Sequence, residues 1–313
     1  FYNRLALASS RIYFTLEQLA QLHFLYQFSL NYFLEVFYSI FQNNPSLAGV
    51  TDSSTRLEIL SKTLFSLIFK RVSRSLQQED RLPLALRMAQ VKLKGTRDEL
   101  NDDMLEYLLR GGESTKIVET GLDAELSSVL NEDQRKHLLD LEDLELFNNV
   151  KQHIKANKDT WAKFLQSPVA ENEVPLQAIK LEGSNIPADS EVSNAFLSLL
   201  FLKAFRMDRF VAGATHFVAK LFGDHFLNVD FNFNEVVEKE SNSRAPLLLC
   251  STPGHDASSK VDEIASRMKQ KDYKAIAIGS AEGFDLADKA INRAAQIGGW
   301  VLLKNTHLAP QWL

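Results

Sequence analysis

"PGHDASSKVDE" (253–263) follows the apolar run "PLLLC" (246–250) and leads into residues of helical period. A glycine, a short polar loop, a lysine and then a helix outline a phosphate-binding loop between strand and helix. Two further short apolar runs, "KAIAIG" (274–279) and "WVLLKN" (300–305), are separated by "SKVDEIASRMKQ" and "DLADKAINRAAQIG". Continuous apolar strands alternating with helices predict a parallel sheet covered on both faces. Three strands are expected, with Ala287, Ala290, Ile291, Ala294 and Ala295 forming a small-residue face that lies close on the sheet.

A working loop reads G-x-x-x-x-G-K-[ST]: its glycines free backbone amides for phosphate, its lysine neutralises charge, and its hydroxyl holds magnesium. Here Gly254 serves as the first glycine, Ser259 stands where the second belongs, Lys260 keeps the lysine and Val261 replaces the hydroxyl. Asp256 adds a negative charge inside the anion nest. The strand that should end in a metal-holding acid ends instead in Lys304 and Asn305, and a cation there opposes a metal ion. These residues predict a decayed loop, with no catalytic residue, no bound cofactor and no metal. In that reading Ser259 and Asp262 cap the following helix and Lys260 is exposed. The "GSAEGF" turn (279–284), Glu282 within it, and His307 in "KNTHLAP" are read as turn chemistry, and the histidines show no ligand spacing.

The chain before this is helical by period. Residues 18–34 contain no Asp, Glu, Lys or Arg, but Gln18, Gln21, His23, Gln27 and Asn31 interrupt them, so a long protein-buried helix is expected over 11–42 rather than a membrane span. "NNPSLAG" ends it, and Thr55 and Glu58, at capping-box spacing, open a second helix striped by Leu57, Leu60, Leu64, Ile68 and Val72. Arg71 and Arg74 sit near its C-terminus. "DRLPLALRMAQVKLKG" predicts a third, with Pro83 in its first turn and Gly95 past its end. Residues 96–167 are more acidic, and Leu138, Leu141 and Leu144 mark an amphipathic helix there. Pro168, Pro175 and Pro187 cluster, which places the expected boundary between 1–185 and 186–313. A further helical stretch, 190–223, carries "RMDR" (206–209), where pairing of Arg206 or Arg209 with Asp208 is expected as an exposed contact. The fold class is therefore mixed: an all-α region followed by a partial α/β sheet.

Hydrophobic content of 45% and a charged fraction of 24% are those of a globular chain of two or three domains. A net charge of −5 and dispersed basic residues offer no footprint for nucleic acid or an anionic membrane. The single cysteine, Cys250, excludes an intrachain disulfide and fits a reducing compartment. The chain starts without methionine or a secretory layout and stops just after an apolar run, so it reads as a piece of a longer one.

"APLLLCSTPGHDASSKVDEIA", "KAIAIGSAEGFDLADKAINRAA" and "GGWVLLKNTHLAPQWL" resemble the sixth AAA+ module of dynein heavy chains. "SSRIYFTLEQLAQLHFLYQFSLNYFLEVF" resembles the segment after the strut coiled coil of the fifth module in the cytoplasmic form. "AFRMDRF" is similar to an R-P-D-R element, with Met207 in place of proline. The resemblance implies a fragment of an ATP-driven, minus-end-directed microtubule motor: strut end, small part of the fifth module, and first half of the sixth. It further implies cytoplasmic, cytoskeletal location and a parent that is a homodimer binding intermediate and light chains and microtubules. ATP and magnesium would sit in other modules of the ring. The fragment would be structural, carrying ring closure to the strut and stalk. Two rivals stand beside it: a doubly wound nucleotide- or phosphate-binding domain using the Gly254–Lys260 loop without magnesium, and a helical scaffold binding partners through 11–76.

Overall fold

The computed structural model describes residues 2–42, 44–96, 102–110, 124–179, 190–229, 232–241, 246–251 and 254–312. They form two compact units, Phe1–Val229 and Asp230–Leu313.

The first unit is helical. The uncharged run is not one helix: α1 (Asn3–Gln18) continues into a 3₁₀ turn at Leu19–Gln21, and α2 (Leu30–Gln42) starts afresh. The break has a local cause. The His23 ring accepts the Leu25 amide at 3.2 Å, Gln27 donates back to the Phe24 carbonyl at 2.9 Å, and the Ser29 hydroxyl accepts the Tyr32 amide at 3.1 Å. The first two compete with the helical ladder, and the third caps the helix that restarts at Leu30. The bend turns Tyr26 inward until it is only 2% exposed, where α3 (Ser53–Ser73) and α4 (Gln78–Thr96) meet it.

Asp52, not Thr55, caps α3, accepting the Thr55 amide at 2.7 Å. Leu60, Leu64, Ile68 and Val72 of the expected stripe are fully buried. α4 begins earlier than predicted, so Pro83 lies inside it and Gly95 falls within it. An acid-rich first turn, Glu79 and Asp80, supports that earlier start.

Next come α5 (Asp102–Arg110), α6 (Ala124–Ser127), α7 (Glu132–Glu142), α8 (Val150–Ala156) and α9 (Lys158–Gln166). Asn131 and Gln134 form a reciprocal capping box on α7, whose Leu138 and Leu141 are buried. The proline-bearing segment after α9 is packed, with Ala170, Ala178 and Ile179 buried, while Pro187 lies outside the described residues.

α10 (Glu191–Phe205) is apolar on nearly all sides, and Phe196, Leu199, Leu200, Phe201 and Leu202 are fully buried. A helix without a polar face must be surrounded. α5, α7 and α11 (Phe210–Phe222) pack around it, so the helices after the expected 185/186 boundary belong to the first compact unit. Gly213 lets α10 and α11 approach closely: a Cβ there would come within 2.3 Å of Leu202. Phe222, Phe226 and Phe69 stack in a row with Phe65 tilted against Phe222, and the Lys92 ammonium lies 4.7 Å over Phe222 and is bonded to the Leu221 carbonyl at 2.7 Å.

The second unit holds α12 (Phe233–Lys239), α13 (Ala257–Arg267), β1 (Tyr273–Ala277), α14 (Ala281–Ile297) and β2 (Trp300–Lys304). β1 and β2 pair in parallel with Tyr273 opposite Trp300, and α14 is the crossover. The third strand expected at 246–250 does not form: the run pairs with neither β1 nor β2 among the described residues, and Leu248 is 66% exposed. An apolar run becomes a strand only when a neighbour completes its ladder. Ala287 and Ala290 of the small-residue face are buried, but Ala295 and Ile291 are exposed. Among the described residues no helix is long and apolar enough to cross a membrane.

Candidate functional site

The loop 254–260 sits at the N-terminus of α13. Gly254 has φ +86°, the left-handed region that glycine tolerates, and a Cβ there would meet nothing, so backbone freedom is its use. The cap is Asp256, which accepts the Ser258 amide at 2.8 Å. The expected caps do other work: the Ser259 hydroxyl donates to the Asp256 carbonyl at 2.9 Å, and the Asp262 carboxylate accepts the Tyr273 hydroxyl. An amide that would face a phosphate is thereby held by the chain's own carboxylate. The Asp256 carboxyl lies below its ordinary pKa because it accepts from the Ser258 amide and side chain, with a smaller contribution from the Lys304 ammonium.

Lys304 is the last residue of β2. The acid stands on the loop and the base stands where the acid belongs. Asn305 follows in the left-handed region at φ 61°, ending the strand. Lys260 is exposed on the outer side of α13, and Val261 is half-buried. His255 and His307 are exposed, and among the described residues no group of three or more His, Cys, Asp or Glu is arranged to hold a metal. A shallow cavity of about 310 Å³ lies elsewhere, between β1 and the start of α14, lined by Ala277, Ser280, Glu282 and Gly283 among others. Ser280 caps α14 through the Gly283 amide at 3.2 Å, the turn chemistry expected of "GSAEGF".

A second polar constellation lies in the helical unit. The Arg206 guanidinium donates to the carbonyls of Phe164, Leu165 and Ser167 at 3.1, 2.8 and 2.9 Å and grips Asp208 in a two-toothed pair at 2.9 and 2.8 Å. The pairing expected for "RMDR" exists, with Asp208 exposed as expected at 60%, while the Arg206 side chain, which also holds the carbonyls at the end of α9, is only 13% exposed. Arg209 grips Glu171 likewise, holding that carboxyl below its usual range, as Arg206 does for Asp208. Sequence reading missed this reach to α9 because its partners are carbonyls and carry no residue signature.

Comparison with known proteins supplies the lineage. Residues 242–313 match the family model described as dynein heavy chain region D6 P-loop domain. Over 100% of its length the chain is 44% identical to the cytoplasmic dynein heavy chain of Dictyostelium discoideum and 40% identical to that of Drosophila melanogaster. Likeness to the human axonemal heavy chain 1 is 26% over the same span. The chain spans 7% of the length of each of these relatives.

Proposed function

The chain belongs to the dynein heavy chain family, and from that premise we propose that it is a structural, force-relaying part of the motor ring that neither binds nor hydrolyses ATP. The carrying observation is the loop itself, where Asp256 accepts the Ser258 amide and Lys304 ends β2 in place of an acid. A loop that satisfies its own amides and places a cation at the metal position offers MgATP neither an anion nest nor a metal partner. The rival phosphate-binding reading needs Lys260 turned into the loop, and that side chain is exposed.

In this reading residues 1–185 are the strut end, the small part of the fifth module and a linker, and residues 186–313 begin the sixth. Cytoplasmic location fits the relatives' names. Microtubules, intermediate and light chains and a second heavy chain are partners of the parent, and ATP and magnesium act in its other modules. Calorimetric titration of the chain with MgATP tests the loop: no saturable heat is expected, whereas tight binding abolished by Lys260→Ala would overturn the reading.

A further inference from the structure

The polar cluster around Arg206 closes a circuit in the chain. The backbone leaves α9 at Gln166, runs through the proline-bearing connector, and returns as α10, whose far end carries Arg206 and Arg209. From there Arg206 reaches back 39 to 42 positions to Ser167, Leu165 and Phe164, and Arg209 reaches back 38 to Glu171. Ser167 and Glu171, just past α9, are therefore pinned to the turn that follows α10.

Three of the carbonyls so held belong to the end of α9, where a helix has no internal donors and carries its negative pole. A planar guanidinium with five donors in a fixed fork sets direction as well as distance, which a lysine or an apolar contact does not. Packed apolar helices can slide past one another by small shears, whereas a bidentate pair resists a change of register. Arg206 at 13% and Glu171 at 16% exposure form the inner side of the cluster, while Arg209 at 30% and Asp208 at 60% face solvent.

We propose that Arg206, with Asp208, Arg209 and Glu171, is a mechanical joint that makes α9 and the α10–α11 hairpin move as one body, so that load crosses this joint and bypasses the connector. These are positioning residues for the relay, and the inference rests on the relay reading above. It makes the connector a shunted loop rather than the hinge that its prolines suggest.

The test uses the full-length heavy chain as a motor. Arg206→Lys keeps the charge and loses the fork; Glu171→Gln keeps the shape and loses the pair. Both should lower the ratio of microtubule-stimulated to basal ATP turnover by at least about five-fold, the scale of a typical coupling free energy. Exchanging Glu171→Arg with Arg209→Glu should restore much of the ratio. The joint is overturned if the two single variants leave the ratio unchanged, or if stimulated and basal rates fall in the same proportion. A disulfide bridging the two compact units reports separately on the relay. A motor slowed by that bridge yet indifferent to Arg206→Lys refutes the joint alone, and one indifferent to the bridge refutes the relay.

Discussion

The Tyr26 hydroxyl donates to the Asp80 carboxylate at 2.6 Å across 54 positions of chain. It also accepts the Gln77 amide at 2.9 Å, so one phenol satisfies two groups at the start of α4. Burial raises its pKa first, and the bond to Asp80 adds to that. Tyr26→Phe keeps the ring and strands both partners, and should cost about 1–2 kcal/mol. Urea unfolding measures it. A change within experimental scatter would mean water replaces the hydroxyl without loss.

The same residue shows where sequence reading stops. The polar residues of the uncharged run 18–34 argued against lipid, but the buried helix expected there is broken, and within the run only Leu19, Tyr26 and Phe33 are buried while Leu22 and Phe24 are exposed. The break at 22–29 was not legible, because it depends on His23 and Gln27 outcompeting the helical ladder, and on Ser29 capping the restart, so that Tyr26 can reach α4. The parallel pairing of β1 with β2 was readable from alternating runs, while the fate of 246–250 was not, since a strand needs a neighbour that the run itself cannot specify. At the loop, the substitutions Ser259, Val261 and Lys304 were plain in the letters. That Asp256 is the cap, and that Asp262 is held by Tyr273, required the geometry.

Gly213 is expected to resist enlargement. Its Cβ would fall 2.3 Å from Leu202 Cδ1, where α11 packs on α10. Gly213→Ala sets a gain in helix propensity of about 1 kcal/mol against overpacking of about 1–3 kcal/mol. Gly213→Val adds bulk without that gain and should be clearly destabilising in thermal unfolding. If the valine variant melts with the parent, α10 and α11 are not held at this spacing.

Lys203 gives a pH signature. Its ammonium donates to the Leu108 carbonyl at the end of α5 and lies 5.6 Å from the Tyr107 ring, and burial lowers its pKa to about 8. A lysine depressed in the folded state binds fewer protons there than when unfolded. Stability should therefore rise with pH from about 8 towards the ordinary lysine value of about 10.4. Burial raises the Tyr107 phenol, so above the ordinary tyrosine value of about 10 the folded state holds more protons than the unfolded one, and stability falls with pH there, opposing the lysine trend. Allowing for screening of a partly solvated amine, the rise between pH 7 and 10 should be about 1–2 kcal/mol. Lys203→Met should flatten that part of the profile in denaturant titrations. A parent and variant with parallel profiles would show that the bond to Leu108 holds the charge and cancels the cost of burial.

Apolar surface on the second unit should be detectable. Leu247, Leu248, Leu286, Ile297 and Leu308 are between 47% and 66% exposed, beyond the scattered single residues of an ordinary surface. The isolated 313-residue chain should bind an apolar fluorescent dye and associate with rising concentration. Leu247→Ser with Leu248→Ser should reduce both without lowering the unfolding midpoint, because neither side chain is buried in the folded unit. Dye binding that survives the double substitution would place the sticky surface on the helical unit, where Phe14, Leu22 and Phe24 are exposed by 54%, 61% and 71%.

The relay itself makes a claim about coupling. The helical unit ends at Val229 and the α/β unit starts at Asp230, so the covalent link between them lies there rather than at the proline cluster. If these units belong to consecutive modules of a ring, closure driven by ATP elsewhere must alter their relation before it reaches the strut. In a full-length motor, a disulfide bridging the units should slow microtubule-stimulated turnover by about five-fold or more while leaving nucleotide affinity at the other modules unchanged. Reduction should restore the rate, which separates a restraint from a damaged fold. A segment that transmits a conformational change must lose transmission when its two states are made one. A bridged motor that hydrolyses ATP and walks at the unbridged rate would leave this chain a passive part of the ring wall.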